Sequence, residues 1–192
     1  MPEIKSFPPI ADAKATILIV GSMPGKESLR AGQYYAHPRN AFWTIMGDLV
    51  GASPALPYAT RLRKLKSAGI AVWDVLASCT RHSSMDADIL TDSMCTNDFV
   101  SFLSVHPHIT HVFFNGSMAE QCFRKLVLPK LEHLSENHSL QYLRLPSTSP
   151  AHASMPFPKK LQAWKAILRF MPVRQQKATD NNGLTRHAYA GC

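Results

Sequence analysis

The side chains best suited to chemistry fall in three short stretches. Gly21-Ser22-Met23-Pro24-Gly25 leads into Tyr34-Tyr35-Ala36-His37-Pro38-Arg39-Asn40-Ala41-Phe42-Trp43. Alone, the Gly/Pro turn is punctuation. It is no P-loop, because no Gly-Lys-Ser or Gly-Lys-Thr follows at the required spacing, and it is not GxGxxG. The second half says more: two tyrosines stand on a loop before a helix, next to a histidine, an arginine and an asparagine. Such tyrosines either cover a core edge or offer a stacking face to a base. Leu145-Pro146-Ser147-Thr148-Ser149-Pro150-Ala151-His152-Ala153 is rich in turn residues. It reads as a plain surface loop or as one that pinches a phosphate backbone with hydroxyls and N–H groups. Gly69–Leu76 (GIAVWDVL) places one carboxylate, Asp74, near the end of an apolar run.

Other polar positions carry less. His106, His108 and His111 cluster, but no Cys or carboxylate completes a ligand set at matching spacing, so a helix-to-strand turn is the reading and no metal is expected. Asn115 reads as the cap of a helix starting near Ser117, although its position also lets it reach a pocket. Arg81 and His82, in the loop after Asp74, fit nucleic-acid contact and a solvated loop equally well.

The elements that must position these residues follow from periodicity. Thr16–Ser22 is a β-branched apolar run, and Ile70–Leu76, Thr110–Asn115 and Leu140–Leu145 are the other strands expected. Pro38 suits the first position of a helix whose inward face is Ala41, Phe42, Ile45, Met46, Leu49 and Val50, stopped by Gly51. A second helix is expected over Tyr58–Ala68. A third runs through Phe99, Val100 and Leu103 with Thr96 as its cap, and a fourth covers Ser117–Leu126. The last, Pro158–Phe170, turns Leu161, Trp164, Ile167 and Leu168 inward. The segment from Gly21 to His37 is expected to be loop. Strands alternating with helices predict a three-layer α/β/α sandwich around a four-stranded parallel sheet. Ligands of such sheets bind beyond the strands' carboxyl ends, where Gly21–Pro24, Asp74–Ser78, Asn115–Gly116 and Pro146–Pro150 fall.

Composition sets the frame. The chain has 192 residues, 45% hydrophobic and 18% charged, which suits one globular domain, expected over residues 1–174. Residues 175–192 are polar and patternless and are expected to be disordered. Lys and Arg number 21 against 13 Asp and Glu, a formal charge of +8. Such a surface attracts polyanions, nucleic acid foremost, though a basic enzyme without that partner carries the same charge. No signal peptide and no membrane-length apolar run is visible, and the cysteines show no CxxC pairing. A cytoplasmic protein with reduced thiols is expected.

Taken together, the motifs carry a resemblance. The spacing from Gly21 to Tyr35, followed by HPxNxFW, closely resembles the mismatch-specific uracil-DNA glycosylases. The Ser147-Thr148-Ser149-Pro150 loop resembles the second motif of the wider uracil-DNA glycosylase superfamily. Gly69–Leu76 resembles the superfamily strand that ends in a base-recognising polar residue, here Asp74. The likeness runs from Thr16 to about Phe170. Two departures narrow the branch: Met23 stands in place of the mismatch-specific enzymes' catalytic Asn, and Ser147 in place of the second-motif His. The GSxPG turn, Asn40 in HPRN and the STSP loop together resemble the hypoxanthine-DNA glycosylase branch. The resemblance implies a uracil-DNA glycosylase-like fold and hydrolysis of the glycosidic bond of deaminated bases in base-excision repair, mainly hypoxanthine, with uracil as a minor substrate. It implies Asn40 as the catalytic residue, Tyr35 as the stacking aromatic and Asp74 as an acceptor for a base N–H. It further implies Met23, Pro24 and Gly25 as a backbone cradle for the base. Ser147, Thr148 and Ser149 would hold DNA phosphates, and Ala151 and His152 occupy the place of the wedge. Water is the nucleophile, and no Lys at a motif position forms a Schiff base. No cofactor and no metal is implied; the partner is DNA containing a deaminated base, bound by a monomer away from membranes. Two rivals stand beside this: a binding module of the same fold that has lost catalysis through Met23, and an enzyme acting chiefly on uracil in mismatches.

Overall fold

The computed structural model describes residues 3–83, 85–132 and 140–172. The elements in chain order are β1 (Ile4–Lys5), β2 (Ile17–Gly21), α1 (Lys26–Ala31), α2 (Phe42–Val50), α3 (Tyr58–Ser67), β3 (Ile70–Asp74), β4 (Leu76–Cys79), β5 (Cys95–Thr96), α4 (Phe99–Ser104), β6 (His111–Asn115), α5 (Ser117–Leu126), α6 (Leu128–Glu132), β7 (Gln141–Leu145) and α7 (Phe157–Trp164). A 3-10 turn, Lys165–Phe170, continues α7.

All residues of β2 and β3 are buried, as expected of parallel strands covered on both faces. The sheet order is β3-β2-β6-β7, with every pairing parallel. Side-chain alternation divides the core. Leu18, Val20, Ala71, Trp73, Val112 and Phe114 pack with Phe99 and Phe102 of α4 and Phe123 of α5. Ile17, Ile19, Ile70, Val72 and Phe113 pack with Phe42 and Ile45 of α2, Leu65 of α3 and Trp164 of α7. Each large side chain so buried contributes roughly 1.5–3 kcal/mol. The three-layer α/β/α architecture is therefore observed.

Several boundaries differ from expectation for local reasons. The run Ile70–Leu76 is not one strand: Val75 and Leu76 donate to the carbonyls of Gly21 and Ser22, so the chain bends over the end of β2. It continues as β4 in a small antiparallel sheet, β1-β4-β5. The helix expected from Pro38 starts at Phe42, because Asn40 N–H turns back to the His37 carbonyl at 2.8 Å and Ala41 N–H is taken by Thr148 O at 3.0 Å. The segment read as loop contains α1, six residues of which only Ser28 is buried, too short and polar to show a period. Asp98, not Thr96, caps α4, its Oδ1 accepting from Ser101 N–H at 3.0 Å. The residue preceding α5 is Gly116 at φ 100°, so Asn115 is not its cap. Leu168 is 44% exposed rather than inward, because the tightened 3-10 turn rotates it off the buried face. The tail 175–192 lies outside the described residues. Among the described residues no helix is long and apolar enough to cross a membrane.

Candidate nucleic-acid site

Beyond the carboxyl ends of β2, β3, β6 and β7 lies a cleft of about 710 Å³. Tyr35, Asn40, Asp74 and Ser147 all line it, as do Met23, Pro24 and Gly25 on one side and Thr148, Ser149, Ala151 and His152 on the other. The structure thus brings the residues of the three motif stretches named above to one place, whereas Arg81, His82, His106, His108 and His111 lie outside it.

Gly21 sets the floor. A Cβ there would lie 2.4 Å from Asp74 Oδ1 and 3.1 Å from Tyr35 Oη, so only glycine admits both groups. Asp74 is 3% exposed and accepts from Ser6 Oγ at 2.9 Å through Oδ2. Burial pushes its pKa up to about 7; the Ser6 bond opposes this, the charge of Asp86 adds to it and Arg81 offsets part. Tyr35 sits at φ 55°, a left-handed backbone that costs a bulky residue of order 1 kcal/mol or more and marks functional loops. That turn lays one ring face on Phe42, centroids 4.0 Å apart. Tyr35 Oη is buried; Asn115 lies beside it, but Oη makes no hydrogen bond among the described residues. Burial also raises the pKa of this phenol, so it remains a donor.

Asn40 is half-buried, with Oδ1 accepting from Phe42 N–H at 3.0 Å. The carbonyl end thus serves as the cap for α2. Its Nδ2 makes no hydrogen bond among the described residues, leaving a spare donor on a residue that lines the cleft.

The serine loop is fastened on three sides. Asn115 grips Thr148 twice, Nδ2 to Oγ1 at 2.9 Å and Thr148 N–H to Oδ1 at 2.8 Å. Thr148 is fully buried, so its side chain positions the loop rather than meeting a phosphate. From α7, Trp164 Nε1 donates to Pro146 O at 2.9 Å and Lys160 Nζ to His152 O at 2.8 Å. Ser147 Oγ and Ser149 Oγ each accept from the N–H two residues on, at 3.2 Å. The N–H groups of Thr148, Ser149, Ala151 and His152 are therefore already used, while the hydroxyl protons of Ser147 and Ser149 remain to donate. Ala151 is exposed at the lip and His152 half-buried behind it.

Of two residues that the sequence left open or missed, one backs the other wall and one lines it. Arg81 is 7% exposed and donates to the Pro24 carbonyl from behind the turn, with Nη1 buried and unpartnered among the described residues. It is neither a solvated loop residue nor on the cleft surface; His82 is exposed. Asp86 lines the cleft and accepts from Ser22 Oγ at 2.7 Å, with a pKa raised by burial. Nothing in the aperiodic stretch around it signals this. The histidine cluster separates: His106 stacks on Phe102 and His111 on Phe170. Among the described residues no group of three His, Cys, Asp or Glu is placed to hold a metal ion.

This arrangement, a cleft lined by an aromatic ring, a side-chain amide, a buried carboxyl and a hydroxyl-bearing loop at the ends of four parallel strands, has the groups a base-excising enzyme needs. The profile of the uracil DNA glycosylase superfamily matches residues 8–170, and the chain belongs to that superfamily. Among its relatives are two proteins named hypoxanthine DNA glycosylase. One, from Methanosarcina acetivorans, is 32% identical over 86% of this chain and 98% of its own length. The other, from Methanosarcina barkeri, is 37% identical over 58% of this chain and 70% of its own. A solution NMR structure of a candidate uracil DNA glycosylase from Methanosarcina acetivorans superposes with a TM-score of 0.71 at 29% identity. It covers 88% of this chain and 98% of that one.

Proposed function

We propose that the chain is a monofunctional DNA glycosylase that hydrolyses the bond between a deaminated base and its sugar, with hypoxanthine the main base and uracil a minor one. It acts in base-excision repair on cytoplasmic DNA, as a monomer without cofactor. The observation that carries this reading is the convergence of the Asn40 amide, the Asp74 carboxyl and the Tyr35 ring in one cleft. Reaching the bond requires extruding the nucleotide into that cleft. Breaking it builds positive charge on the sugar and negative charge on the leaving base, and the protein gains rate by stabilising both.

Each group then has a task. The free face of Tyr35, opposite Phe42, stacks on the base. Ionised Asp74 accepts N1–H of hypoxanthine. Adenine has no proton on N1 and an amino group at C6, so the same carboxylate faces its N1 lone pair. That difference supports selection of the deaminated purine. Asn40 works as a donor, because its oxygen is spent on Phe42; Nδ2 holds the attacking water or the departing base. Met23, 6% exposed, supplies no polar group at the turn, which favours Asn40 as the residue that carries catalysis. The same Met23 is what a non-catalytic binding module would show. A gel assay on duplexes each holding one hypoxanthine, uracil, xanthine or ethenoadenine decides between them. Alkali-labile sites are expected most at hypoxanthine, then uracil. Excision chiefly of mismatched uracil would change the substrate, and no excision of any base would favour the binding module.

A further inference from the structure

The serine loop separates two hollows. The larger is the base cleft. The smaller, of about 280 Å³, shares Asn40, Thr148, Ser149, Pro150 and His152 with it. Its other polar side chains are Arg39, Thr44 and Lys160, and no Asp or Glu lines it. Arg39 is exposed at the rim, whereas Lys160 is 6% exposed. The Lys160 ammonium donates to the His152 carbonyl and takes part in no ion pair among the described residues. A buried ammonium facing a cavity with only a neutral carbonyl as partner is electrostatically incomplete. Burial lowers its pKa, the direction that a bound anion would reverse.

We propose that this second hollow is a phosphate site, in which Lys160 and Arg39 hold a DNA backbone phosphodiester next to the extruded nucleotide. The inference rests on the glycosylase reading above and adds a contact outside the base cleft. An extruded nucleotide keeps its flanking phosphates. A strand whose base enters the cleft must therefore lay one of them beside the loop that both hollows share. Arg39 at the rim supplies a planar fork for capture, and Lys160 inside supplies a fixed point charge. Ser149, on both hollows, has its hydroxyl proton free after accepting from Ala151 N–H. Because Lys160 also tethers His152, the same phosphate would draw the loop onto the strand.

The test is binding of the full chain to a duplex containing 2′-fluoro-deoxyinosine, whose fluorine disfavours a cationic sugar and so blocks cleavage. Lys160→Met keeps the apolar stem and removes the charge. Lys165→Gln removes an exposed charge beyond the hollow and serves as control. Lys160→Met is expected to lower the slope of log affinity against log salt by about 1, with a clearly smaller change for the control. Methylphosphonates placed singly around the lesion should weaken the wild type most at one position, and that penalty should vanish in Lys160→Met. An unchanged slope, or a penalty that persists at every position, overturns the proposal and leaves Lys160 a loop tether. Inorganic phosphate that stabilises the wild type but not Lys160→Met, with DNA binding unaltered, overturns the DNA assignment in favour of a free anion. Excision of unmodified deoxyinosine is scored separately. Its absence would sink the glycosylase reading while leaving a Lys160-dependent DNA contact standing.

Discussion

Replacing Asp74 with Asn should make the protein more stable and less active, each with a pH dependence set by one buried carboxyl. Unfolded, Asp74 titrates near its ordinary value of 3.8; folded, near about 7. The folded state therefore holds the proton more tightly. Its advantage is complete below about pH 4, is lost progressively as pH rises through about 7, and is flat above. At about 1.4 kcal/mol per unit, the gap of roughly three units corresponds to about 4 kcal/mol of burial cost at pH 8, an upper bound. The neutral amide of the Asp74→Asn variant avoids that cost, and its side-chain oxygen can still accept from Ser6. At roughly 2–4 °C per kcal/mol for a chain of this size, the variant should melt on the order of 10 °C higher at pH 8 and about equally at pH 4. Activity should move the other way. If ionised Asp74 accepts N1–H, wild-type kcat/KM falls about tenfold per unit below pH 7, whereas Asp74→Asn is slow and lacks that limb. Calorimetry and single-turnover excision across pH 4–9 measure both. A difference in Tm that does not change with pH, or a wild-type rate flat from pH 5 to 8, would refute the reasoning.

Gly21→Ala should leave the sheet folded but displace Asp74 and Tyr35, since the new Cβ falls 2.4 Å from Asp74 Oδ1; excision should drop at least tenfold while DNA affinity holds. Tyr35→Phe keeps the stacking ring and removes an unpartnered buried hydroxyl. Calorimetry should therefore find stability unchanged or raised by about 1 kcal/mol, where a loss of about 2 kcal/mol would reveal a partner. Affinity for lesion duplex should fall steeply between low and physiological salt, by tenfold or more, given the +8 charge. Filter binding that is insensitive to salt would contradict backbone contacts.

The sheet was readable because strands buried on both faces must be continuous β-branched runs, as Ile17–Gly21 and Ile70–Asp74 are. The convergence of Tyr35, Asn40, Asp74 and Ser147 follows from the same fact, since loops after parallel strands meet at one edge. What was not readable depends on partners distant in sequence. Ser6 meets Asp74 across 68 positions, Ser22 meets Asp86 across 64 and Arg81 meets Pro24 across 57. None of these pairs has a periodic signal. Asn115 looks like a helix cap in the sequence because it precedes Ser117, yet both ends of its amide go to Thr148. Asn40 stands out by motif, but that its oxygen is occupied and its nitrogen free is a matter of geometry. The raised pKa of Asp74 likewise belongs to its surroundings, not to the residue type.

The central claim is that this cleft excises hypoxanthine with Asn40 as its catalytic donor. Single-turnover excision from a deoxyinosine duplex by the wild type and by Asn40→Ala, with folding checked by circular dichroism, tests it most directly. The account predicts excision by the wild type and a rate about a hundredfold or more lower in the variant, with DNA affinity nearly unchanged. A folded Asn40→Ala protein that excises as fast as the wild type would contradict it.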